Sequence, residues 1–147
     1  MILIRFIMAR IRELNKWANA NTSIPIDILR ISLGVFLLLK GISFIVDKKY
    51  LHEILNSVGG FGSEMLLIHY VAMAHMAGGV MIVIGFLTRW SIWVQLPILI
   101  GALVINSIGV FNPSDFIQSL LAFVVSIFFL FFGSGKHSAD YYLKMEE

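Results

Sequence analysis

Met65 to Leu87 runs without a carboxylate, ammonium or guanidinium. It is long enough to cross a bilayer, which takes roughly 20 mostly apolar residues at about 1.5 Å of rise each. Three more mostly apolar runs, 24–46 with Asp27, Arg30 and Lys40, 91–110, and 115–132 with Asp115 at its start, are of similar length, so the pattern predicts four membrane-spanning helices. Thr22 or Ser23 is placed to cap the first of these helices, with Pro25 in its first turn and Asp27 at the positive end of its dipole. Gly34 and Gly41 in this helix, and Gly78 and Gly85 in the next, are each one heptad apart, and Gly79 adjoins the second pair. Small residues let helix backbones approach where lipid supplies no hydrophobic drive, so these two helices are expected to pack closely. Thr88-Arg89-Trp90 reads as a tight turn into the third helix, which Pro97 is expected to kink but not end. Asn112-Pro113-Ser114-Asp115 reads as a turn, with Ser114 or Asp115 as the next cap. The fourth helix is the most apolar and is expected to be the most exposed to lipid.

Residues 1–20 have a different pattern. Leu3, Phe6, Ile7, Ile11, Leu14 and Trp17 share one helical face, and Arg5, Arg12, Glu13 and Lys16 the opposite one. The arginines interrupt any signal-peptide core, and a basic amphipathic helix with a Trp is expected to lie in the membrane interface. Tyr50 to Val58, in the polar loop 47–63, is a second candidate interfacial helix. The expected architecture is therefore all-α: a single membrane domain over 1–147, made of a four-helix bundle and an N-terminal interfacial helix.

Composition narrows the functional classes. Of the 147 residues 59% are hydrophobic and 14% charged, too little polar surface to solvate a soluble globule. A net charge of +2 gives no nucleic-acid signature, and the absence of cysteine excludes thiol–disulfide exchange or thiolate-held iron–sulfur clusters within the chain. Arg5, Arg10, Arg12, Lys16, Arg89, Lys136 and Lys144 fall on one side of a four-helix topology, and Lys48 and Lys49 on the other. The positive-inside rule then puts both termini in the cytoplasm.

With that orientation, each helix carries a polar side chain in the outer half of the bilayer. Lys40 lies about 9 Å below the outer end of its helix, His75 is near the midplane, and His69, Asn106 and Gln118 are each about a turn from an outer end. Intramembrane ionisable groups are costly and mark functional sites by default, so Lys40, His69, His75, Asn106 and Gln118, with Ser43 nearby, form one candidate pocket. Plainer roles stand beside that one. Lys40 is long enough to snorkel outward, and Arg30 to snorkel inward while pairing with Asp27. Asn106 and Gln118 serve equally as interhelical hydrogen bonds, and His69 as an interface residue. His69, Met73 and Met76 share a face of a kind that suits Cu(I), although such methionines more often pack, and no metal site is predicted. Walker, Rossmann and nucleophile-elbow motifs are absent.

Arg30-Ile31-Ser32-Leu33-Gly34 with Gly41, His75-Met76-Ala77-Gly78-Gly79 with Gly85-Phe86-Leu87-Thr88-Arg89, and Gly133-Ser134-Gly135-Lys136-His137-Ser138-Ala139-Asp140 together resemble the DoxX family. The resemblance spans Arg30 to Leu143 and implies a small four-helix bacterial inner-membrane protein. Some members are tied to quinone-linked oxidation and others to oxidoreductase complexes for thiol and radical stress. The family commonly carries a Lys three residues after the second glycine of the first helix. Phe44 stands there in this chain, and Lys40, four residues earlier, shares its face.

Two functional classes follow. The first is a subunit of a membrane oxidoreductase system, with quinone or quinol bound in the outer pocket and no intrinsic cofactor. The second is a non-enzymatic accessory or scaffold subunit that associates with other membrane proteins or with itself. A transporter ranks below both, because no inverted repeat or discontinuous helix pair is evident.

Overall fold

A computed structural model of the chain describes residues 2–47, 64–108 and 112–143, with the side chains of all of these except 2–8, 64, 65, 67 and 108. The candidate interfacial helix at Tyr50–Val58, the loop cations Lys48 and Lys49, and Lys144 lie outside the described residues. The elements are α1 (Ile2–Asn21), α2 (Ile24–Val46), α3 (Glu64–Ile84), α4 (Thr88–Ile108), α5 (Pro113–Phe132) and the short α6 (Ala139–Tyr142). Among the described residues there is no strand. By length and composition α2, α4 and α5 can cross a membrane, and α3 has a shorter apolar stretch, Ile68–Ile84.

Two boundaries differ from expectation. α3 ends at Ile84 because Gly85 takes a left-handed φ of 69° and Leu87 follows at 46°, so the reversal occupies 85–87. Thr88-Arg89-Trp90 is thus the first turn of α4, which runs unbroken through Pro97. Asn112, rather than Ser114 or Asp115, caps α5, its side chain accepting from the Ser114 amide at 3.1 Å. At α2 the cap position is Ser23, as expected, with Pro25 in the first turn.

Packing follows the small residues, with a corrected partner. A Cβ on Gly34 would lie 2.7 Å from the Gly79 carbonyl oxygen, and one on Gly79 2.7 Å from that of Gly34. One heptad along, Gly41 meets Met76 and the Ala72 carbonyl. The seam therefore pairs Gly34 and Gly41 with Gly79 and Ala72, not with Gly78 and Gly85. Gly78 instead faces Gln95 on α4, and Gly85 sits in the turn against Ser138 and Arg30. α2 with α3, and α4 with α5, form two close pairs joined mainly through α3 and α4, while α2 and α5 touch lightly. Leu33, Leu37, Ile82, Ile92, Leu99 and Phe129 fill the interior. α5 is no more exposed than α4, because Ala122, Ser126, Phe129 and Phe132 form a buried stripe. α1 buries Asn15 and Ala18, and leaves Ile11, Leu14 and Trp17 exposed on the face expected to meet lipid.

The α3–α4 reversal is clamped from both sides. The Arg30 Nη1 donates to the carbonyls of Ile82 and Val83 at 2.7 and 2.8 Å, satisfying orphan acceptors at the end of α3. The Asp140 carboxylate accepts from the amides of Leu87 at 2.7 Å and Thr88 at 3.3 Å, where the α4 dipole is positive. Arg30 does pair with Asp27, at 3.8 Å, but it is buried and does not snorkel. Asp27 also holds His137 Nδ1 at 2.7 Å, and Arg30 reaches the His137 carbonyl, so the tail is docked by the same group of charges.

Overpacking a tight core costs roughly 1–3 kcal/mol. Gly79→Leu is therefore expected to lower the thermal midpoint in detergent clearly. Gly101→Ala, whose added methyl meets nothing within 4 Å, is expected to be neutral or to stabilise.

Candidate functional site

Between the two helix pairs, at the Lys40 end of the bundle, lies a cavity of about 350 Å³. α2 contributes Phe36, Lys40 and Phe44 at successive helical turns, so all three project from one face. α3 contributes Val71 and His75, α4 the stretch from Pro97 to Asn106, and α5 Asp115 and Ser119. The walls are mostly apolar and aromatic, with a few convergent polar groups, the usual constitution of a small-molecule site.

The polar groups sit in two places. At the mouth, Lys40 Nζ lies 3.9 Å from Asp115 Oδ1 and 5.8 Å from the centre of the Phe36 ring. Asn106 Nδ2 donates to Ser119 Oγ at 3.3 Å, and that hydroxyl donates to the Asp115 carbonyl at 2.7 Å. Asn112 Nδ2 holds the other Asp115 oxygen at 2.9 Å. Deeper in, the His75 ring meets Phe44 edge-on, with centroids 5.7 Å apart. His75 is only 4% exposed, and its Nδ1 has no hydrogen-bond partner among the described residues. A buried polar atom left unpaired costs about 1–3 kcal/mol, so the unpaired nitrogen is a local cost to stability beside the cavity that the His75 ring lines.

Of the five residues expected to share one pocket, the structure brings Lys40, His75 and Asn106 to the cavity. His69 does not line it: six residues from His75 it is turned about 120° away, and it is exposed. Gln118 is directed instead at Ser114 Oγ, 3.0 Å away on the preceding turn. Ser43 bonds back to the Leu39 carbonyl and is exposed. The His69, Met73 and Met76 face is also divided: His69 and Met73 are exposed, while Met76 packs on Gly41. Among the described residues no three His, Cys, Asp or Glu side chains gather as a metal site.

Sequence reasoning missed Asp115 and Ser119. Their spacing of four residues on α5 was a usable signal, masked because Asp115 also reads as a helix cap. It missed Gln95 as well, which is fully buried and donates from Nε2 to the Ala74 carbonyl at 2.7 Å.

These features define an all-α, multi-pass membrane bundle with an open cavity between its helix pairs. A family model described as DoxX matches residues 26–107, and the chain belongs to the DoxX family. That span carries α2, α3 and most of α4, with Arg30, Lys40, His75 and Asn106. No curated protein and no solved structure matches the chain.

An ion pair at 3.9 Å whose two side chains remain about a third and a fifth exposed is weak. A double-mutant cycle of Lys40→Met with Asp115→Asn is expected to give a coupling below about 1 kcal/mol in thermal stability, leaving the ammonium available to a ligand.

Proposed function

We propose that this chain is a membrane subunit of an oxidoreductase system that binds the head group of a quinone or quinol in the cavity at the Lys40 end. The observation that carries this reading is an apolar, aromatic-walled cavity lined by the buried imidazole of His75 together with Lys40 and Asn106. A quinone head group is flat and apolar, with an acceptor oxygen at each end. Phe36 and Phe44 provide apolar ring surface. The Lys40 ammonium and the Asn106 amide are donors at the mouth, and His75 is the donor or acceptor deeper in. Asn106 already spends one amide hydrogen on Ser119, which orients the other.

Reducing a quinone takes two electrons and two protons. An imidazole supplies or accepts a proton within hydrogen-bond reach of a carbonyl, whereas neither it nor an ammonium carries electrons. An electron-transferring partner protein is therefore part of the proposal. Lys40 shares the cavity with Phe44, which supports the view that it takes the place of the lysine usual in the family one turn further on. The proposed setting is the bacterial inner membrane with both termini cytoplasmic. Arg10, Arg12, Lys16, Arg89 and Lys136 support it, since α1, the α3–α4 turn and the docked tail meet at the end opposite Lys40.

The test is a binding titration of a short-chain quinone against the protein in nanodiscs. Saturable binding is expected, weakened about tenfold by His75→Leu and by Asn106→Leu, the effect of one lost hydrogen bond each. Lys40→Met is expected to weaken it similarly, and His69→Leu and Gln118→Leu to leave it unchanged. Unsaturable partitioning identical in every variant would overturn the proposal.

A further inference from the structure

At the end of the bundle away from Lys40, α1 and the start of α4 border a second cavity, of about 640 Å³, within the size range of small-molecule sites. α1 contributes Ile11 and Asn15, one helical turn apart. α4 contributes Arg89, Trp90, Trp93 and Val94, and Asp140 of the docked tail lines the same space.

Two charges of opposite sign share this cavity while each is held by backbone. The Asp140 carboxylate accepts from the amides of Leu87 and Thr88, which fixes its position. The Arg89 Nη2 donates to the Phe131 carbonyl at 3.1 Å, and a guanidinium has five N–H donors, more than one carbonyl takes. Trp90 and Trp93, three residues apart on α4, are neighbours on the helix surface and put two indoles on the same cavity. A carboxylate accepts charge-assisted hydrogen bonds from an ammonium, and an indole face attracts a cation. A guanidinium matches a phosphate. The wall thus complements one molecule that carries both a phosphate and an ammonium.

The place of the cavity in the fold selects among such molecules. α4 is long and apolar enough to cross a membrane from Thr88 onward, so its first two turns lie at the level of the lipid head groups. Trp90, Trp93 and Val94 line the cavity and are also exposed on the outside of that helix. The cavity therefore borders lipid-facing surface, along which acyl chains can lie. Tryptophans at a membrane interface often do no more than anchor the helix, a role that requires neither a cavity nor a carboxylate. Trp17, exposed on α1 and not among the residues that line the cavity, is the plain case.

We infer that this cavity binds the head group of a zwitterionic phospholipid with a primary ammonium, of the phosphatidylethanolamine class. Its ammonium meets Asp140 and the indoles of Trp90 and Trp93, and its phosphate meets Arg89. α1 touches the membrane helices only lightly, and a lipid seated between α1 and α4 ties the two together. The site lies at the opposite end of the bundle from Lys40 and His75, and it does not rest on the quinone reading.

The test is native mass spectrometry of the full chain, delipidated in mild detergent and titrated with three probes. These are short-chain phosphatidylethanolamine, phosphatidylglycerol with the same chains, and glycerophosphoethanolamine, the head group without chains. Saturable one-to-one binding of phosphatidylethanolamine is expected, about tenfold tighter than phosphatidylglycerol, which keeps the phosphate and lacks the ammonium. The chainless head group is expected to bind at least about tenfold more weakly than the lipid. Replacing both indoles, Trp90→Leu with Trp93→Leu, is expected to weaken phosphatidylethanolamine about tenfold, and Arg89→Gln similarly. Trp17→Leu is expected to change nothing. Asp140→Asn keeps the shape and removes the charge, so it is expected to erase the preference over phosphatidylglycerol; if it does not fold, the double tryptophan variant decides. Phosphatidylglycerol bound as tightly as phosphatidylethanolamine, a chainless head group bound as tightly as the lipid, or a folded double tryptophan variant with wild-type affinity would overturn the assignment.

Discussion

The backbone contact between α2 and α3 at Gly34 and Gly79 sets the geometry of everything above it. Because neither position has a side chain, each carbonyl lies where the other residue's Cβ would otherwise be. In lipid such packing, rather than hydrophobic exclusion, holds helices together. The contact also fixes register. The helices are antiparallel, so Lys40, six residues beyond Gly34, rises about 9 Å from it, and His75, four residues before Gly79, rises about 6 Å. These two side chains of the candidate site thus reach about the same level from different helices, a consequence of where the glycines stand.

The cavity is what the remaining packing leaves unfilled. α4 and α5 make a second close pair, and the two pairs are bonded mainly along α3 and α4. At the opposite end Arg30 and Asp140 take up orphan carbonyls and amides of the α3–α4 reversal, which pins that turn. The Lys40 end has no such clamp among the described residues. There the polar groups form a weak ion pair, one amide–hydroxyl bond and an unpartnered imidazole. A turn pinned at one end and loosely paired polar groups around a cavity at the other make the Lys40 end the candidate binding site.

The sequence made the architecture legible because apolar length and charge placement are strong signals in a membrane protein. The four apolar helices, three of them long enough to cross a membrane, the capping region of α2 and the neighbouring of α2 and α3 could all be read from it. The choice between Gly78 and Gly79 could not, since adjacent glycines differ by 100° in direction and only the partner decides which faces it. His69 and His75 presented the same difficulty: both are intramembrane histidines, and only the rotation of α3 separates them. Asp115 and Asp140 were hidden for another reason. Asp115 reads as a cap of its own helix, which hid its place at the cavity, and Asp140 lies in the tail motif, 52 and 53 residues from the amides it holds. Arg30 looked like a snorkelling cation because the carbonyls it binds belong to a turn 52 and 53 residues away, which no local pattern announces.

The central claim is that the imidazole at position 75, and not another histidine, meets the ligand. The chain has four histidines, so nitrogen-15 spectra of histidine-labelled protein in nanodiscs resolve them individually. On titration with a short-chain quinone, the account predicts that the ring nitrogens of His75 shift in proportion to occupancy while those of His69 and His137 stay where they are. A His75 signal that does not move as quinone saturates, or a shift confined to His69, would contradict it.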